Sequence, residues 1–293
     1  MIRLSFILIF TLITGYSIAS EFKGEKPQTI KVLANNYNQG ESLDYFNALL
    51  DAALHITQAE FGSYKLQTND LPYSQARSLE FLDDEKGLDV MHTMTNSDRE
   101  LKYQAIKVPL LKGLMGYRML LTNEENFPKL QQIETLKDFR NLIACQGTHW
   151  PDSDILEHNG LQVARVLLFE SMYEMVAKGR CDFFPRGIHE ISPEFESFSA
   201  KHDNLKIDRH LMLQYHAPVY FFVGKKNKPL ASRIELGLNK LIANGEFDTM
   251  FKNNPITGHI FPLSKWQNVK VIQLENPMYK DSTNENTLRL GTR

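Results

Sequence analysis

The chain has 293 residues, 42% of them hydrophobic and 23% charged, with a formal net charge of -2. That length is too great for one small domain and comfortable for two, at roughly 100 to 200 residues each. With charge nearly balanced and no block of like charge, the sequence offers no basic surface for nucleic acid, which is not expected as a partner.

The first residues read as an export signal. Arg3 gives a short basic start, Leu4 to Ile13 an apolar run, and Ser17-Ile18-Ala19 the small residues that a signal peptidase reads. The run is shorter than the ~20 residues that span a bilayer, so cleavage after Ala19 is expected in place of a retained anchor. No cysteine lies near that point to accept a lipid, and the mature protein is expected to be periplasmic.

Thr29 to Leu33 alternates around Ile30 and Val32 as a strand and ends in the polar loop Asn35 to Gly40, which carries Tyr37. Ser42 then fits an N-cap, with Leu43, Phe46, Leu50, Ala53 and Leu54 forming one helical face. Tyr64 to Gln67 reads as a strand, Ser74 to Leu82 as a helix after the Leu71-Pro72 break, and Gly87 to Met94 as a third strand. Strands alternating with helices predict an α/β fold with a parallel sheet. Ligands of such sheets bind beyond the carboxyl ends of the strands, where the loops Asn35 to Gly40, Asp70 to Ser74 and Thr93 to Arg99 fall. The last loop places Thr93, Thr95 and Arg99 together, and the planar fork of an arginine suits a carboxylate. Capping threonines beside a solvated arginine are the alternative reading.

Gly113 and Gly116 flank an expected crossing to a second lobe, where glycine absorbs hinge rotation cheaply, and Tyr117 to Leu121 starts a new strand. A short helix at Thr135 to Phe139 precedes Leu142 to Leu156, a strand that turns at Gly147-Thr148 and opens a helix. The unpaired N–H groups and positive end of that helix can cradle an anion. Asp152 and Asp154, just past the turn, read as first-turn helix stabilisers rather than ligand contacts. Trp150, Tyr37 and Phe184 could stack on a ligand.

A strand at Gln162 to Val166 and a helix with Phe169, Met172, Tyr173 and Val176 on one face follow, the helix ending at Lys178-Gly179. Cys181 to Phe184 reads as a buried strand that delivers Pro185-Arg186-Gly187 to the cleft edge. Val219 to Val223 would return the chain to the first lobe, and Pro229 to Ala243 reads as a helix stopped by Asn244-Gly245. From Asn276 the sequence is polar and reads as loosely ordered. The expected boundaries are therefore a signal at 1–19, a discontinuous first lobe at 20–109 and 219–275, a second lobe at 110–218 and a tail at 276–293.

Cys145 and Cys181 are the only cysteines. An oxidising compartment permits a disulfide, but two buried thiols are the preferred reading, because bridging adjacent strands demands specific Cβ geometry. His189-Glu190 lacks the second histidine of a zinc helix, and no phosphate loop, dinucleotide fingerprint or nucleophile elbow occurs. Neither a metal, nor a cofactor, nor catalysis is expected.

The order of an export signal, an interrupted lobe, the Thr95-to-Arg99 loop and a strand leading to Gly147-Thr148 resembles the type-II periplasmic solute-binding proteins. The particular likeness is to the family 3 amino-acid-binding components of ABC transporters. The resemblance implies two doubly wound lobes joined by two hinge strands. It implies a monomer that closes on a small carboxylate-bearing or amino-acid-like ligand and presents it to a membrane transporter or receptor; a sensing module or a dehydratase-like enzyme on the same fold are the alternatives. It also implies that Thr95 and Arg99, four residues apart here against the family's usual three, hold the ligand carboxylate, with Gly147-Thr148 as the turn of the second lobe. Many members continue Gly-Arg-x-Asp with an aspartate for the ligand ammonium. This chain keeps Gly179-Arg180-Cys181-Asp182 but then places Arg186, which would repel an ammonium and, with Arg99, suit an anionic or dicarboxylic ligand, unless Asp152, Asp154 or Glu190 supplies the negative partner or pairs with Arg186.

Overall fold

Gln28–Leu33 forms strand β1, with Ile30 and Val32 buried as the alternation predicts. It is the first element of a computed structural model that describes residues 26–34, 40–69, 75–82, 84, 87–279 and 288–290, with side chains in the first helix from Tyr45 onward. The expected signal, Tyr37 and its loop, and the residues from Asp70 to Ser74 lie outside the described residues. Helix α1, Gly40–His55, begins two residues before Ser42, so Ser42 lies inside the helix and is not its cap. Tyr45, Phe46, Leu49, Leu50, Ala53 and Leu54 form its buried face. β2, Tyr64–Asn69, pairs parallel with β1. α2, Gln75–Leu79, is shorter than expected, and β3, Val90–Met94, α3, Ser97–Lys102, and β4, Tyr103–Ile106, complete this half. Asp89 ties β3 to β1: its N–H donates to Lys31 O at 2.8 Å and its carboxylate accepts from Lys31 N–H at 2.7 Å.

The second lobe is built from β5, Tyr117–Asn123; β6, Ile143–Gly147; α4, Pro151–His158; β7, Gln162–Val166; α5, Phe169–Ala177; β8, Phe184–Gly187; α6, Ile191–Ser199; and β9, Leu205–Gln214. β5 lies antiparallel between β8 and β9, and β6 pairs parallel with β7. The strand expected at Cys181 to Phe184 begins only at Phe184. It runs through Pro185, whose missing N–H is tolerated because β8 is the last strand of its ladder. Cys181 falls instead in the turn before it and forms a disulfide with Cys145 of β6, at a Cα–Cα distance of 5.6 Å. This corrects the preference for free thiols. A turn residue is not bound to ladder spacing, so the pair reaches bridging geometry.

The chain returns through β10, Val219–Gly224, which inserts antiparallel between β3 and β4. α7, Lys228–Ala243, packs on α1 at Gly237, where an added Cβ would stand 2.1 Å from Ala53 O. Gly245, at φ 82, follows the stop, and α8, Glu246–Asn253, and α9, Pro255–Gly258, come next. β11, Lys270–Gln273, then pairs parallel with β9, so this stretch of the expected first lobe belongs to the sheet of the second.

The two crossings touch, because Tyr215 N–H donates to Gly116 O at 3.1 Å, and a Cβ on Gly116 would stand 2.1 Å from Tyr215 O. The described residues of the segment read as a loose tail, 276–279 and 288–290, pack over both of them. Asn276 Nδ2 donates to His216 O at 2.7 Å, and Tyr279 stacks on His216 at 4.8 Å. Leu288 N–H donates to Lys112 O at 2.8 Å, and Leu290 N–H to Tyr117 Oη at 3.1 Å. Among the described residues, no helix is long and apolar enough to cross a membrane.

Candidate functional site

A cavity of about 640 Å³ lies between the lobes. Phe46 of α1, Gln75 of α2, and His92, Thr93 and Met94 of β3 line its first-lobe side. Arg118, Asp152, Arg186, His189, Glu190, Glu194 and Ser197 provide the polar lining opposite, and Trp150 part of the aromatic lining.

On the first-lobe side, Asn96 caps α3 by accepting from Arg99 N–H at 2.8 Å, which fixes where the Arg99 side chain starts. Arg99 is only 8% exposed. It donates to Thr93 Oγ1 at 2.8 Å, Met94 O at 2.5 Å and Gln75 Oε1 at 3.3 Å, and so stands one layer behind the cavity surface. All these acceptors are neutral; among the described residues no carboxylate lies within ion-pair reach of it. Burial pushes its guanidinium down to about 10, opposed by the field of Asp152. Thr93, which accepts from Arg99, keeps its own hydroxyl hydrogen to offer into the cavity. Thr95 does not line the cavity; its hydroxyl donates to Glu100 at 2.7 Å. His92 stacks on Phe46 at 3.8 Å, and burial pushes it down to about 3, so the imidazole is neutral.

The second-lobe side carries a continuous ionic network. Arg118 of β5, 3% exposed, bonds Asp152 at 2.5 Å and Tyr215 Oη at 2.9 Å, and lies 3.4 Å from Glu190. Tyr215 in turn donates to Asp152. Arg186 meets Glu190 at 3.1 Å and grips Glu194 with two bonds of 2.7 and 2.5 Å, while Tyr173 donates to Glu194. The Arg186 guanidinium also lies over Phe184, Trp150 and Phe169 at 5.0, 5.2 and 5.4 Å. Burial works against every charge here. Nevertheless Arg186 and its neighbours bring Glu190 down to about 2, and the carboxylates hold Arg118 and Arg186 above the ordinary arginine value. Two guanidiniums thus face three carboxylates.

Asp152 is therefore a buried ion-pair partner and not merely a first-turn stabiliser, whereas Asp154 pairs with Arg165 at the surface. Arg186 is fully engaged by glutamates of its own lobe, which removes the repulsion expected for an ammonium. Among the residues singled out from sequence, Thr93, Trp150, Asp152, Arg186 and Glu190 line the cavity; Thr95, Arg99, Gly147, Thr148 and Phe184 do not. The Gly147 N–H donates to Gln146 Oε1 and the Thr148 N–H to Val166 O. The Trp150 ring covers Gly147 so closely that a Cβ there would stand 2.5 Å from it. α4 opens with Pro151, which has no N–H to offer an anion. Arg118, Tyr215, Glu194 and Gln75 went unnoticed in the sequence. Arg118 carried a usable signal, a lone charge inside the apolar stretch Tyr117 to Leu121.

No protein-family profile matches the sequence, and no curated protein does. Solved structures do. An ancestral arginine-binding protein bound to glutamine matches with a TM-score of 0.58 at 14% identity, over 78% of this chain and 99% of that one. The ancestral amino acid-binding protein AncCDT-1, a precursor of cyclohexadienyl dehydratase, gives 0.55 at 13% identity, over 77% and 94%. The GluR0 ligand-binding core from Nostoc punctiforme in complex with L-glutamate gives 0.51 at 13% identity, over 77% and 97%. Two α/β lobes, two touching crossings and a cavity between them, matched over nearly the full length of these structures, give the chain the type-II periplasmic binding-protein fold.

Proposed function

We propose that the protein is an exported solute-binding protein whose cleft closes on a zwitterionic, amino-acid-like ligand and presents it to a membrane transporter or receptor. One observation carries this reading: the two sides of the cavity hold opposite uncompensated charge. Among the described residues, Arg99 is a buried cation bonded only to neutral oxygens, and the second lobe sets Asp152, Glu190 and Glu194 against Arg118 and Arg186. Leaving a buried charge unpaired is costly, so each side is completed by a ligand group of opposite sign. A carboxylate directed at Thr93 and Arg99 and an ammonium directed at Glu190 and Asp152 complete both.

A thermal-shift series of α-amino acids, the matching amines and the matching deaminated acids tests this reading. A zwitterion at about 100 times its Kd adds ~2.7 kcal/mol, a shift of roughly 5 to 10 °C for a chain of this size. The amine or acid alone shifts the midpoint far less. Equal shifts from an amine and its amino acid would sink the reading.

A further inference from the structure

We infer that the ligand is an α-amino acid with an uncharged aromatic side chain; this rests on the zwitterion reading and deepens it. Beyond the charged groups, the lining includes aromatic rings on both sides, set among apolar residues such as Met94, Met115, Val219 and Ile256. The Phe46–His92 stack faces in from the first lobe, and Trp150, Phe169 and Phe198 from the second. The second-lobe rings brace one another, Trp150 to Phe169 at 6.3 Å and Phe169 to Phe198 at 5.9 Å, and Phe198 is backed by Tyr173 at 3.8 Å. A cavity of about 640 Å³ is roomy for a small amino acid, which would leave water against these rings. An aromatic side chain brings ~150 to 250 Å² of its own surface to bury there.

Among the described residues of the lining, a charged side chain finds no free counter-charge. Arg186 already lies over the Trp150 and Phe169 rings, so a second guanidinium or ammonium stacked on them would lie near a like charge. Glu194 is held by two bonds from Arg186 and Glu190 is shared by both arginines, so the single excess negative charge is consumed by the α-ammonium. An anionic side chain would face three carboxylates whose two arginines are already engaged. Neutral His92 adds a flat face and no charge.

Isothermal titration of the full mature chain with phenylalanine, tyrosine, tryptophan, alanine, arginine, lysine and glutamate tests the inference. At least one aromatic amino acid is expected to bind ~100-fold more tightly than alanine, arginine, lysine or glutamate. Trp150→Leu and Phe198→Leu should each reduce the aromatic-to-alanine ratio at least ~10-fold, whereas Arg99→Ala should weaken all amino acids alike. Arginine, lysine or glutamate binding as tightly as the best aromatic would overturn this inference and leave the zwitterion reading standing. Binding of none of the seven would overturn both.

Discussion

Asp152 and Arg118 meet at 2.5 Å with both side chains almost fully buried, and the pair fastens the first turn of α4 to strand β5. Tyr215, which lies where the chain leaves the second lobe, bonds both members, so this wall of the cavity is also wired to a crossing.

Breaking that pair on one side leaves a buried guanidinium without its main counter-charge. Asp152→Asn is expected to cost ~3 to 5 kcal/mol in urea unfolding, whereas a paired apolar replacement, Arg118→Met with Asp152→Leu, should cost much less. Equal losses in the single and double variants would show that the interaction, and not the stranded charge, sets the cost.

Arg99 is expected to behave in the opposite sense. Arg99→Ala removes a buried cation that has no carboxylate partner among the described residues, so the unliganded protein should melt at an unchanged or higher temperature while amino-acid affinity falls by a factor of ~10 to 100. A lowered midpoint with intact affinity would make Arg99 a structural residue.

Acid should destabilise the protein in two windows. Burial holds His92 near 3 and His189 near 4, against ~6.5 in the unfolded chain, so between those values the unfolded state binds the extra protons. Stability is therefore full above pH ~6.5 and falls as the pH drops, by on the order of 1 to 3 kcal/mol per histidine. Glu190, held near 2, adds stability above ~4.5 that is lost only as the pH falls towards 2. His92→Phe keeps the stack on Phe46 and should remove the His92 share of the upper window, leaving that of His189, in a series of chemical melts between pH 7 and 4.5.

The bridge between Cys145 and Cys181 closes a loop with a sequence separation of 36. Its removal by reduction, or by Cys145→Ser with Cys181→Ser, is expected to cost ~3 to 4 kcal/mol and lower the midpoint by about 10 °C. Thiol titration of the unfolded, unreduced protein should find no free thiol.

Much of the fold was legible because its strongest elements carry clear periodicity: α1, α5 and α7 on one apolar face each, β1 by alternation, and β10 as an apolar run after Pro218. β9 and β11 were missed because Lys206, Asp208 and Arg209 interrupt one and only four residues make the other. The site was harder. Trp150, Arg186 and Glu190 line the cavity, but the partners of Arg186 and Asp152 come from Glu194, Arg118 and Tyr215, which are distant in sequence or sit in segments that read as plain core. Spacing along a chain conveys which residues share a face; it does not convey which charges cancel after folding.

Asn276, Tyr279, Leu288 and Leu290 contact both connections between the lobes, and none of the four lines the cavity. The closure proposed above would turn one lobe against the other about these crossings, so it would bear on the contacts made there by Asn276, Tyr279, Leu288 and Leu290. Amide hydrogen exchange at Leu288 and Leu290 should therefore change when ligand binds, and proteolytic clipping near residue 275 should alter affinity without touching a single lining residue.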